Sequence, residues 1–187
     1  MRINLALILS IIVAVGLVAL VFTAFQISSE RQKLNTELAD KTTRVSEDFY
    51  RIHLKNLESG DGIDFRKIND SVITQYSFNA MAIYYNTDSI IELNDSAHYF
   101  LQHSLDYVSR ALSADTSMGN MIKIDGKKIY QYVRIVKRDN LPSIAAVFYT
   151  DASYIKNLIN SIWWGNFLRW FIQAFVISIV TLLIIRW

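Results

Sequence analysis

The chain has no cysteine, which excludes a disulfide framework and any cysteine-ligated metal. Histidine is also scarce. His98 and His103 stand five positions apart, roughly 140° around a helix, which is poor geometry for a shared metal. His53 is remote from both in sequence. The 6 glycines form no phosphate-cradling loop and no G-x-S-x-G elbow. The 17 carboxylates carry no motif that marks a catalytic pair. No enzyme is expected, and no cofactor or metal. An excess of one charge is missing too: the net charge is +2, and the basic residues outside the charged middle are Arg2, Arg169 and Arg186 alone. They flank or edge apolar runs, so no basic patch for nucleic acid is expected.

Two long stretches have almost no charge at all. Residues 3–29 contain none. At about 1.5 Å per residue they are long enough to cross a hydrocarbon core of roughly 30 Å with some tilt. A cleaved signal peptide has an apolar region of only about 7 to 15 residues and an A-x-A-like site. Residues 3–29 fit neither condition, so an uncleaved signal-anchor is expected, in preference to a buried core helix. The second stretch starts after residue 150. Asp151 is placed to N-cap a helix, and Ile155, Leu158, Ile159 and Ile162 recur at helical spacing. From Trp163 the chain is apolar on every face as far as Ile185, except at Arg169. Trp163, Trp164 and Trp170 gather at the upstream end, where indoles favour headgroups, and Arg186 with Trp187 falls at the other interface. Arg169 lies near the edge, where its guanidinium can snorkel. Membrane lipid is thus an expected partner.

Charge near the first span does not settle orientation, because Arg31, Lys33, Lys41 and Arg44 follow it closely. Loops longer than about 60 residues translocate largely regardless of charge, however. The Met-Arg start then favours both termini inside and the middle outside.

The sequence divides into a transmembrane helix at 3–29, a membrane-proximal helix at 30–58, a mixed domain at 59–150, and an exit helix at 151–187 that continues into a second span. In the proximal helix Leu34, Leu38, Val45, Phe49, Ile52 and Leu57 form an apolar stripe. Glu37–Lys41, Asp40–Arg44 and Glu47–Arg51 are i,i+4 pairs in the favoured order. The stripe suits a parallel homodimer and suits packing on the domain's own sheet equally well. A break is expected at residues 59–62. Phe65, Ile68, Val72 and Tyr76 predict a short helix, and residues 80–85 and 89–93 predict strands around a turn at 86–88. Residues 94–96 offer caps for one helix with Leu101, Leu105, Val108 and Leu112 on its apolar face. Residues 113–120 read as a polar loop. Residues 121–124 and 128–136 read as a hairpin about Asp125-Gly126, since Asp-Gly tolerates the positive φ of a type I′ turn. A last strand follows at 143–150. The fold class is therefore α/β of the α+β kind, with a five-stranded antiparallel sheet.

A long first helix, a two-strand unit, an intervening helix and a three-strand unit, all between two membrane helices, resemble the PAS-like or single-Cache sensor regions of two-span bacterial receptors. Residues 150–155, 168–170 and 181–187 are similar to the segment before the HAMP linker of membrane-tethered trehalose-6-phosphate synthases. The resemblance implies the inner membrane, a periplasmic domain and signal transduction: a sensor that moves the second span to control a cytoplasmic effector. An alternative from another class is a structural anchor or assembly protein that binds another envelope protein.

Tyr130, Tyr132 and Arg134 share one face of a single strand, because side chains alternate with period two. The resemblance implies a sheet face that holds a ligand, with Arg134 clamping a small anion and the tyrosines as walls. Two readings stand, since tyrosines also suit half-buried strand faces in any sheet and an arginine can simply be solvated. Tyr149 and Asp151 at the junction carry the same two readings. Asp151, Tyr154, Ile155 and Leu158 are the expected signal-coupling positions.

Overall fold

The computed structural model describes residues 5–55, 68, 70–86, 89–92, 94, 96–138 and 141–187. The expected break at 59–62, and Phe65, Leu57 and the tip of the turn at 87–88, lie outside them. The chain forms two compact units. One comprises residues 36–153 and the other residues 1–35 together with 154–187.

The larger unit is an α+β domain. Helix α1 spans Leu5–Phe49 and passes into a π-helical turn at Tyr50–Leu54. The order thereafter is α2 (Asp70–Gln75), β1 (Ala80–Asn86), β2 (Ser89–Glu92), α3 (Ala97–Leu101), α4 (Leu105–Ala114), β3 (Met118–Ile124), β4 (Lys127–Arg138) and β5 (Leu141–Asp151). Helix α5 runs from Ser153 to Arg186. The five strands form one sheet in the order β2-β1-β5-β4-β3, and every neighbouring pair is antiparallel. The last strand in sequence is thus the central one.

Alternation along the strands gives the sheet two buried faces. Ala80, Ala82, Val133, Ala145, Val147 and Tyr149 pack against Ala97, Leu101, Val108 and Ala111 of α3 and α4. Alanine on both sides lets those short helices approach closely. On the opposite face, Phe49 is fully buried with its ring edge-on to Phe148, centroids 5.8 Å apart, and edge-on to Tyr76 and Phe78. Such pairs contribute about 0.5–1.5 kcal/mol beyond the area they bury. Leu38, Thr42, Ser46 and Phe49 of α1 are all buried at helical spacing. Leu38 and Phe49 of the apolar stripe are therefore spent inside the domain, while Leu34 and Val45 are half-buried.

Ile52, placed on the stripe by α-helical spacing, is 61% exposed, and Leu54 is buried instead. The π turn explains the change: its wider i→i+5 repeat brings the fifth residue after Phe49 onto the buried side. Glu47 pairs with Arg134 and not with Arg51, which pairs with Asp48 at 3.0 Å.

Two further expectations are corrected. The single helix predicted across 97–112 is broken at residues 102–104. There Ser104 Oγ donates back to the Phe100 carbonyl at 2.8 Å, a local bond that competes with a regular helix. Leu105 is consequently exposed, and Ala111 takes a buried place. Strand β3 begins at Met118, three residues inside the predicted loop. The Asp125-Gly126 turn has positive φ at both residues, +47° and +78°, as a type I′ turn requires.

One helix among the described residues, within Ile12–Leu54, is long and apolar enough to cross a membrane, and its first part belongs to the other unit. Its side chains Leu17, Val18, Val21, Phe22 and Phe25 stand exposed. Gly16 is buried against Trp170: a Cβ there would lie 2.9 Å from the indole. Asn166 Nδ2 donates to Gln26 Oε1 at 2.9 Å.

Candidate functional site

The residues singled out on β4 and β5 do not converge. Tyr130, Tyr132 and Arg134 share the sheet face that α1 covers, as their pairing with Thr150, Phe148 and Ala146 requires. Tyr149, one register position out of phase, points to the α3–α4 face. There its ring stacks on Phe100, with centroids 5.2 Å apart, and its hydroxyl shares a 2.7 Å hydrogen bond with Ser104. Burial pushes the Tyr149 phenol up from its ordinary value, slightly offset by that bond and reinforced by Tyr84. A single pocket of Tyr130, Tyr132, Arg134 and Tyr149 is therefore excluded by the period-two alternation of the strands.

Arg134 is committed locally. Its guanidinium donates to Glu47 and lies 4.1 Å over the centre of the Tyr50 ring. Tyr130 lies across β3, where Gly119 leaves room; any Cβ on Gly119 would overlap the Tyr130 hydroxyl. Burial raises the Tyr130 phenol, with smaller contributions from Tyr107, Tyr132 and Asp40. The solvated-arginine reading is wrong as well, since only 17% of the side chain is exposed. Through Arg134 this face of β4 is tied to Glu47 and Tyr50.

A cavity of about 280 Å³ opens on the other face, beside the end of β5. Its walls are Tyr99, Phe100, Ile124 and Ile129, and Asn79, Asp125, Lys127 and Asp151 supply polar groups. Each is placed by a simple device. Ile124 and Lys127 flank the type I′ turn that carries Asp125. Tyr99 and Phe100 come from α3, and the Tyr99 hydroxyl donates to Asp125. That bond raises the Tyr99 phenol above its ordinary value, because the carboxylate favours the protonated donor. Asn79 ties three elements together: its N–H donates to the Tyr149 carbonyl at 2.7 Å, its Oδ1 accepts the Asp151 amide at 2.6 Å, and its carbonyl accepts Asn94 Nδ2 at 3.0 Å.

Asp151 belongs to the cavity and to the junction at once. Its Oδ1 accepts the Ser153 amide at 2.7 Å, so it caps α5 from the end of β5. The Ala152 amide and the Ser153 hydroxyl both turn to the Lys128 carbonyl, at 2.9 and 3.5 Å. Beyond the cap, Ile155 is buried while Tyr154 and Leu158 are exposed. Of the positions expected at a membrane interface, Trp163, Trp164, Arg169, Arg186 and Trp187 are exposed, and Trp170 packs on Gly16.

Sequence reasoning reached only Asp151 of this cavity. Asp125 was read as a turn residue and Tyr99 not at all. The Asp-Gly turn is the one signal that would have found Asp125, because it fixes which strand ends carry Ile124 and Lys127. His98 and His103 each bond within α3 and its end, to Gln102 and to the Tyr99 carbonyl. No group of three metal-ligating side chains occurs among the described residues. No protein-family model matches the chain, and no curated protein shows significant similarity to it.

Proposed function

We propose that the chain is a membrane-bound extracytoplasmic sensor module of the PAS-like or single-Cache kind. In this reading residues 3–29 and the apolar stretch of α5 both cross the bacterial inner membrane, and both termini are cytoplasmic. The domain between them converts a ligand or envelope signal into movement of the second transmembrane helix, which controls a cytoplasmic effector. The exposed Phe171, Ile172, Phe175, Val176 and Leu183 of α5 support a second span, since bilayer lipid would cover them. A homodimer is the proposed form, with the half-buried Leu34 and Val45 of α1 as stripe positions left to contribute to it.

One observation carries the reading. Central strand β5 passes into α5 through a single residue, Ala152, beside a cavity that shares Asp151 with the helix cap. Anything that occupies the cavity alters the environment of the group holding the first free amide of α5. Coupling between sites is typically about 1–3 kcal/mol, and the loss of one helix cap is of that order, about 0.5–2 kcal/mol.

The full chain has no cysteine to remove, so single cysteines at Trp163 to Phe171 can report on α5 in reconstituted vesicles. The readout is their reactivity toward a membrane-impermeant maleimide. Lys127→Trp, which fills the cavity from its rim, should shift the boundary between reactive and protected positions. A profile identical to that of the parent chain would rule out transmission and favour a structural anchor that binds another envelope protein.

A further inference from the structure

We propose that the cavity beside Asp151 binds a small organic ammonium compound, with Asp125 and Asp151 as its counter-charges. The inference rests on the sensor reading only for its consequence in α5; the binding itself stands on the cavity. Its polar lining holds two carboxylates against one ammonium, Lys127, so its local balance is negative. Its apolar lining pairs Ile124 and Ile129 with the rings of Tyr99 and Phe100, which meet edge to face with centroids 5.6 Å apart. Aromatic faces attract cations through their quadrupole, modestly so at exposed sites. Carboxylates beside aromatic and aliphatic walls select a cation with an apolar body over a hydrated metal ion, which prefers an all-oxygen shell.

The hydrogen bonds already made leave acceptor capacity for such a guest. Asp125 receives the Tyr99 hydroxyl on Oδ2, and Asp151 receives the Ser153 amide on Oδ1. A carboxylate offers about four lone-pair sites, so each can accept an ammonium N–H as well. The volume, about 280 Å³, lies at the small end of ligand cavities and suits a short-chain amine. Lys127 at the rim would read a second, anionic end if the guest is an amino acid and would repel a plain carboxylate. An ammonium at Asp151 also competes for the negative charge that the Ser153 amide draws on, so occupancy weakens the cap of α5 without removing its hydrogen bond.

The test titrates the full chain in lipid nanodiscs with n-butylamine, γ-aminobutyrate and n-butyrate by calorimetry. Asp125→Asn and Asp151→Asn keep shape, the left-handed turn and the cap while removing the charge. Expected are saturable binding of at least one of the two amines, no comparable binding of n-butyrate, and a loss of about tenfold to a hundredfold in affinity in each variant. Tighter γ-aminobutyrate supports an amino-acid guest read by Lys127, and tighter n-butylamine supports a simple amine. Binding of n-butyrate as tight as either amine, the absence of millimolar amine binding, or affinities unchanged in both variants overturns the proposal. If amine binds as expected but the maleimide profile of α5 is unmoved by saturating amine, the ammonium site stands and the sensor reading fails.

Discussion

Arg134 on β4 reaches back 87 positions in sequence to donate to Glu47 on α1, and in doing so covers the ring of Tyr50. The pair fastens a helix to a sheet across most of the domain's length. Glu47 is 56% exposed, so the ion pair is partly screened. A double-mutant cycle with Glu47→Gln and Arg134→Met should therefore give a coupling of only about 0.5–1 kcal/mol. Urea unfolding of the full chain in detergent, followed by near-ultraviolet dichroism, measures it. A coupling near zero would mean that the cation–π contact with Tyr50 carries the whole effect.

Gly119→Ala should destabilise the domain by about 1–3 kcal/mol, as overpacking usually does. The added Cβ meets the hydroxyl and ring of Tyr130, which is largely buried and must shift to make room. The double variant Gly119→Ala, Tyr130→Ala removes the clash and should be less sensitive to the alanine at 119 than the parent is. Equal costs in both backgrounds would show that the ring simply moves aside.

Tyr149 makes stability depend on alkaline pH. Its phenol is raised above its ordinary value of 10.0, mainly by burial. The folded state therefore holds the proton more tightly than the unfolded chain. That contribution is complete below about pH 10 and is lost as the pH climbs from there toward the folded value, with a limiting slope of about 1.4 kcal/mol per pH unit. Tyr149→Phe should cost about 1 kcal/mol at neutral pH through the lost Ser104 bond and should flatten the alkaline decline. Chemical denaturation at stepped pH separates the two effects; a decline as steep in Tyr149→Phe as in the parent would place the proton elsewhere.

Topology has its own check. Alkaline phosphatase fused after Gly126 should be active, and a fusion after Trp187 should be inactive while a cytoplasmic reporter there is active. Inactive phosphatase after Gly126 would reverse the arrangement, and activity at both positions would leave one span only.

Local chemistry determined a good deal. The Asp125-Gly126 hairpin, strands β1, β2 and β5 to within a few residues, the capping by Asp151, and the helical character of the uncharged stretch from Leu5 onward were all legible, because turn φ angles, period-two alternation and charge exclusion act between near neighbours. The parity of Tyr149 against Tyr130 was legible too, in principle: an odd separation along one antiparallel pair puts them on opposite faces once the register is known. Register and partner were what the chain could not state. That β5 lies in the centre of the sheet, that Glu47 takes Arg134 in place of Arg51, that a π turn trades Ile52 for Leu54, and that Tyr99 comes to Asp125 all depend on contacts between distant segments. Such contacts are chosen by how whole elements pack, a property of summed volumes and burial that no short window of sequence carries.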